Sequence, residues 1–276
     1  MSVLPRDVSR RAALAALSAS AASLLPASAL AAATSDVDAS RGLCLLTPQS
    51  VEGPYYLDPH LVRSDIVEGR PGVPLRVQLR VIEAGPCTPL PKTRVDIWHA
   101  DARGIYSGYE GQGDGRDLST VGEKFLRGTQ FSDSGGWVAF DTIYPGWYAG
   151  RATHVHFKVF LDERSILTGQ LYFPDALNEF IYTQVPAYRE RARSRNIVNA
   201  NDGIVAADDP DRRSFCAIKE ERERYVASLV LGVDRNGKPQ STEGGVPPPP
   251  GGAPAGGPPP ETPVTGDRAK TLVPGI

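Results

Sequence analysis

Two of the four histidines in this 276-residue chain stand one residue apart, in His154-Val155-His156. In a strand, residues two apart face the same way, so both imidazoles would address one point while Val155, Phe157 and Val159 fill the opposite face. Neutral imidazole is the commonest metal ligand, and the pair reads as a metal-binding geometry; the plainer alternative is two polar side chains on a sheet. No cysteine lies nearby, and no carboxylate is spaced to complete a site of two histidines and one carboxylate. Tyrosines are nearby instead, among them Tyr144 and Tyr148 ahead of the pair and Tyr106 and Tyr109 further upstream. A phenol, with a pKa of about 10, ligates well only when a strongly acidic cation removes its proton. Iron(III) is such a cation.

Five segments, in order, carry a resemblance. They are Thr47-Pro-Gln-Ser-Val-Glu52-Gly-Pro-Tyr55-Tyr56, Gly104-Ile-Tyr106-Ser-Gly108 after Asp96-Ile-Trp98, Pro145-Gly-Trp-Tyr148, Arg151-Ala-Thr-His154-Val-His156-Phe157, and Gly169-Gln170-Leu-Tyr-Phe-Pro174. Together they resemble the intradiol ring-cleavage dioxygenases, the family of protocatechuate 3,4-dioxygenases and catechol 1,2-dioxygenases, from about Leu45 to Asp234. By that resemblance Tyr106 and Tyr148 would be phenolate ligands, and His154 and His156 imidazole ligands, of Fe(3+), with a solvent hydroxide completing its coordination. Arg151 would lie beside the substrate ring and stabilise negative charge, Gln170 would lie close to the substrate, and Tyr148 would also take up a substrate proton. The implied partners are a small aromatic diol and O2. The implied reaction opens the ring between the two hydroxylated carbons to a muconate-type diacid, with no reductant, NADH or flavin. The residues keep competing readings open: Tyr109 and Tyr144 for the ligand roles, pairing with a surface carboxylate for Arg151, a structural role for Gln170. His60 and His99 read as structural, and Trp98, Trp137 and Trp147 as core or pocket wall. Only six positions separate Tyr148 from His154. That spacing is short for the family and predicts a more open pocket.

The elements that must position these residues read as all-β: a mainly antiparallel β-sandwich with few short helices, in a single domain. Leu75, Val77, Leu79 and Val81 alternate with Arg76, Gln78 and Arg80, the pattern of a strand with one wet face. Val95–Trp98, His154–Phe160 and Gln170–Phe173 are further strands, and Tyr225–Val233 should close a sheet. Gln130-Phe131 and Trp137–Phe140 flank Asp133-Ser134-Gly135-Gly136, which predicts a hairpin. Helical pattern is confined to Ala176–Thr183 and Val185–Ser194. No internal repeat is visible.

Residues 1–33 have the form of an export signal: Arg6, Arg10 and Arg11, an Ala/Leu/Ser stretch, then small residues around Ala29-Leu30-Ala31. Ser9-Arg10-Arg11-Ala12-Ala13-Leu14 resembles a twin-arginine signal, with an ordinary secretory signal as the alternative. Pro26 and the weakly apolar stretch make a poor membrane span. The expectation is a periplasmic or extracellular bacterial protein with no stable membrane span after cleavage. Residues 40–235 would form the dioxygenase-like domain, leaving after cleavage no room for the helical dimerisation segment of catechol 1,2-dioxygenases. Residues 236–276, with Pro247–Pro250 and Pro258–Pro260 among glycines, would be a disordered tail. In an oxidising compartment two of Cys44, Cys87 and Cys216 could pair, and the sequence does not choose which. A formal net charge of -2 gives no argument for nucleic acid. Oligomeric state is left open. Against the enzyme stand a non-catalytic exported β-sandwich binding module, and copper or zinc on the histidine pair; a binding module has no reason to keep the full ligand set with Arg151.

Overall fold

The computed structural model describes residues 44–58, 60–191 and 195–238; the export signal at 1–33 and nearly all of the tail at 236–276 lie outside the described residues. Nine strands and three short helices follow in order. They are β1 (Pro74–Glu83), β2 (Thr88–Pro89), β3 (Arg94–Trp98), β4 (Arg127–Phe131), β5 (Trp137–Ile143), β6 (His154–Leu161), β7 (Arg164–Tyr172), α1 (Asp175–Gln184), α2 (Pro186–Arg189), α3 (Gly203–Asp208), β8 (Ala217–Glu220) and β9 (Tyr225–Val233). One sheet runs β4-β3-β6-β7, antiparallel throughout. In the other, β9 lies between β1 and β8, while β5 pairs Pro74–Arg80 of β1 and β2 pairs Ile82–Glu83. The predicted all-β sandwich is what forms.

Alternation explains the core. Leu75, Val77, Leu79 and Val81 of β1 are at most 2% exposed and share one cluster with Val95, Val155, Phe157 and Val159. Apolar side chains from the inner faces of the two sheets thus remove each other from water, which drives the layers together. On β6 the even positions face away from this core. The register sets Trp98 of β3 opposite His156, His156 opposite Gln170 of β7, and His154 opposite Tyr172. That outer face is not wet, because loops cover it: His154 and His156 are 3% and 2% exposed.

Several expectations need correction. Asp133–Gly136 does turn, with the Asp133 carboxylate accepting from Gly135 N and Trp137 N at 2.8 Å. It does not make a hairpin, because β4 pairs β3 and β5 pairs β1, so the chain crosses from one sheet to the other. Pairing with β1 buries Val138 and Phe140 in the core. Tyr225–Val233 does complete a sheet, but parallel to β1 from Leu75 to Glu83. The expected helix at Val185–Ser194 shrinks to α2, with Pro186 at its start, and 192–194 lie outside the described residues. Helix α3 has no apolar periodicity to announce it; Asp202 caps it, accepting from Ile204 N and Val205 N.

Candidate metal centre

Four side chains converge over the outer face of β6. His154 Nε2 lies 3.0 Å from His156 Nε2, 3.4 Å from the Tyr106 hydroxyl and 3.5 Å from the Tyr148 hydroxyl. The sequence-predicted ligand set is therefore brought together. The two competing tyrosines are not part of it: Tyr144 donates to Asn178 Oδ1 at 2.7 Å inside the core, and Tyr109 donates to the Tyr56 carbonyl at 2.5 Å. His99 bridges the Ala100 carbonyl and Thr142 Oγ1, both at 2.8 Å, and His60 is exposed.

The two tyrosines ride on loops that touch. Gly146 N and Gly104 N both donate to the Asp101 carbonyl, at 3.1 and 2.9 Å. A Cβ on Gly146 would meet Asp101 O at 2.2 Å, and one on Gly104 would meet Trp147 O at 2.2 Å. Both positions need glycine because backbone crosses backbone there. This is why Gly104-Ile-Tyr106 and Pro145-Gly-Trp-Tyr148 belong to one device. The Tyr106 amide then donates to Gln112 Oε1 at 2.9 Å, fixing the loop below the ring.

The segment from Thr47 to Tyr56, for which the resemblance implied no site residue, closes another side. Tyr55 stacks on Tyr106 with centroids 4.6 Å apart and also meets Tyr148 edge-on. Gln170 Nε2 donates to the Val51 carbonyl at 3.1 Å, and Glu52 pairs with Lys158. Trp98 stacks on His156 at 4.7 Å, a wall as expected. Arg151 lies beside the site, its side chain only 11% exposed. Its Nη2 donates to Gln170 Oε1 at 2.5 Å, and its Nε to Asp202 Oδ2 at 3.0 Å. The carboxylate partner of Arg151 is thus fully buried, not a surface group. Tyr55 stood in a quoted motif without a role, and Asp202 carried no sequence signal.

The donor chemistry fits a strongly acidic cation. His154 Nδ1 lies 2.7 Å from the Ala152 carbonyl, so it carries the proton and leaves the Nε2 lone pair facing the site. His156 Nδ1 is buried without a partner. Burial, with Arg151 adding to it, lowers the pKa of His154; burial and then His154 lower that of His156. Both imidazoles are therefore neutral, as ligands must be. Burial raises the Tyr106 phenol well above its usual range and raises Tyr148 against the pull of Arg151. Such phenols ionise only beside a cation that offsets their burial. Among the described residues no group of three or more His, Cys, Asp or Glu could hold a metal ion; the side chains gathered at the histidine pair are the two tyrosines.

Known proteins resemble this chain in sequence and fold. The family model described as Dioxygenase matches residues 48–208. An intradiol ring-cleavage dioxygenase from Tetranychus urticae superposes with a TM-score of 0.63 at 29% identity, over 71% of this chain and 97% of its own. A second solved dioxygenase gives 0.64 at 30% identity, again over 71% and 97%. Catechol 1,2-dioxygenase of Acinetobacter baylyi is 27% identical over 171 residues, 52% of this chain and 53% of the relative, so the chain spans about half the length of the curated relative it matches. The chain belongs to the intradiol ring-cleavage dioxygenase family.

Proposed function

We propose that the chain is a non-haem iron(III) intradiol dioxygenase that cleaves a catechol-type diol with O2 between the two hydroxylated carbons. The observation that carries this reading is the convergence of the His156 imidazole and two phenols, Tyr106 and Tyr148, within 3.5 Å of His154 Nε2, with Arg151 beside them. Iron(III), held by His154, His156, Tyr106 and Tyr148, would act as Lewis acid and template for the diol, with no external reductant. The chain's own residues divide the remaining work. Tyr106, 1% exposed and clamped beneath Tyr55, is the anchoring phenol. Tyr148, less deeply buried than Tyr106, is the phenol placed to take up a substrate proton, and burial raises its pKa so that its oxygen holds that proton firmly. Arg151, held at two points, offers fixed positive charge where the ring becomes electron-rich. Gln170 touches Arg151 and the Val51 carbonyl, so its part is to orient Arg151 as well as to line the site.

The first test is a visible spectrum before and after anaerobic catechol. A red-brown band that moves to longer wavelength supports tyrosinate–iron(III) and direct chelation. A protein that stays colourless after iron loading would defeat the iron reading and favour zinc or a binding module. Export is part of the proposal. Its support is the disulfide joining Cys44 to Cys87, a bond that persists in oxidising compartments, while Cys216 is free and buried. No helix among the described residues is long and apolar enough to cross a membrane.

A further inference from the structure

We propose that Asp202 is a positioning residue that holds the Arg151 guanidinium toward the diol, a role that rests on the functional reading above. The carboxylate is fully buried and its two oxygens do different things. Oδ1 accepts from Ile204 N at 2.8 Å and Val205 N at 3.2 Å, which is the ordinary work of a helix cap. That work needs one oxygen. Oδ2 points the other way and accepts from Arg151 Nε at 3.0 Å and from Ala152 N at 2.7 Å. One atom therefore ties both a side chain and a backbone amide, in consecutive residues, immediately before the strand that carries His154 and His156.

A guanidinium is planar, so two anchored donors define its orientation. Asp202 takes Nε and Gln170 takes Nη2, and the Tyr172 hydroxyl, 3.0 Å from Gln170 Oε1, holds that amide in turn. Without Asp202 only the distal anchor at Nη2 remains, and the guanidinium plane is free to turn about it. The anchor itself cannot drift. Val205 of α3 packs with Ala152 and Tyr172 in one apolar cluster, so the helix that Asp202 caps is fastened to the strands that carry the site.

The experiment compares the iron-loaded wild type with Asp202→Asn, Arg151→Ala and the double variant, all with catechol as substrate. Asparagine keeps an oxygen for the cap and loses the charged acceptor for Arg151. The expected result for Asp202→Asn is unchanged iron content and tyrosinate absorbance, a kcat/KM lower by about tenfold, and weaker anaerobic catechol binding. In the Arg151→Ala background the same change should cost less than about twofold, because the group it orients is gone. A purely structural role would show the full loss in both backgrounds, and that outcome overturns the proposal, as does an Asp202→Asn enzyme at wild-type rate. Should Asp202→Asn not fold, Asp202→Ser preserves the cap while falling short of Arg151, and the same comparison applies. A wild type with neither colour nor turnover refutes the functional reading itself, and the positioning role with it. Wild-type activity with uncoupled variants refutes Asp202 alone.

Discussion

The buried guanidinium of Arg127 donates to the backbone carbonyl of Tyr55, 2.6 Å away, although the two lie on segments 72 positions apart. Its Nε and Nη2 donate to Ser107 Oγ and Ser107 O at 2.8 and 2.7 Å, so one side chain ties the Tyr55 segment to the loop that carries Tyr106. Among the described residues it has no carboxylate partner, and burial lowers its pKa to about 10, still charged at neutral pH. Neutral oxygens hold this cation, and the Tyr109 ring lies 5.6 Å from it.

Replacing Arg127 with Met should therefore leave several buried acceptors unpaired. The expected cost is about 2–4 kcal/mol of stability, with weaker iron retention as Tyr106 loosens. Urea unfolding with metal analysis checks it. Unchanged stability would mean that water or a neighbour replaces the guanidinium at no cost.

Tyr106→Phe keeps the ring that stacks on Tyr55 and removes only the phenol oxygen. The fold should survive, and bound iron and visible absorbance should fall severely. His156→Ala should do the same. Full iron content in either variant would contradict the ligand set.

Three buried histidines make the metal-free chain acid-sensitive. For His99, burial lowers the pKa to about 4, below the unfolded value of about 6.5. Neutral His99 thus contributes stability that is complete above pH 6.5 and is lost as pH falls toward 4, roughly 3 kcal/mol in all. Burial acts in the same direction on His154 and His156. Urea titrations of the metal-free protein from pH 7.5 to 4 should show the decline, and His99→Gln should flatten it. An equal slope in both proteins would remove His99 from the account.

The Cys44–Cys87 bond closes a loop with a sequence separation of 43 residues and fastens the start of the segment that leads to Tyr55. Replacing both with serine should lower stability by about 4 kcal/mol on chain-entropy grounds. Chemical denaturation of oxidised and reduced protein measures the same quantity independently. Coincident curves would show that the segment's other contacts suffice.

Much of the site was legible because its signals are local. His154 and His156 lie on one face through strand periodicity, while Tyr106 and Tyr148 were singled out by the family resemblance of the short motifs around them. What could not be read depends on partners remote in sequence. Asp202 pairs with Arg151 across 51 positions, and Arg127 reaches Tyr55 across 72. A buried carboxylate and a buried guanidinium look like any other charges in a sequence. The Asp133–Gly136 turn has the same local chemistry whether the chain reverses within a sheet or passes between sheets. Only the register with β1 decides, by burying Phe140.

The parallel union of β1 with β9 also governs how the protein can be made. Leu75 finds its partner in Tyr225, so one flank of the first long strand stays open until nearly all the domain has left the ribosome. Completion of this sheet must await Tyr225–Val233, and a chain cut short before Tyr225 would leave one edge of Leu75–Glu83 unpaired as a template for aggregation.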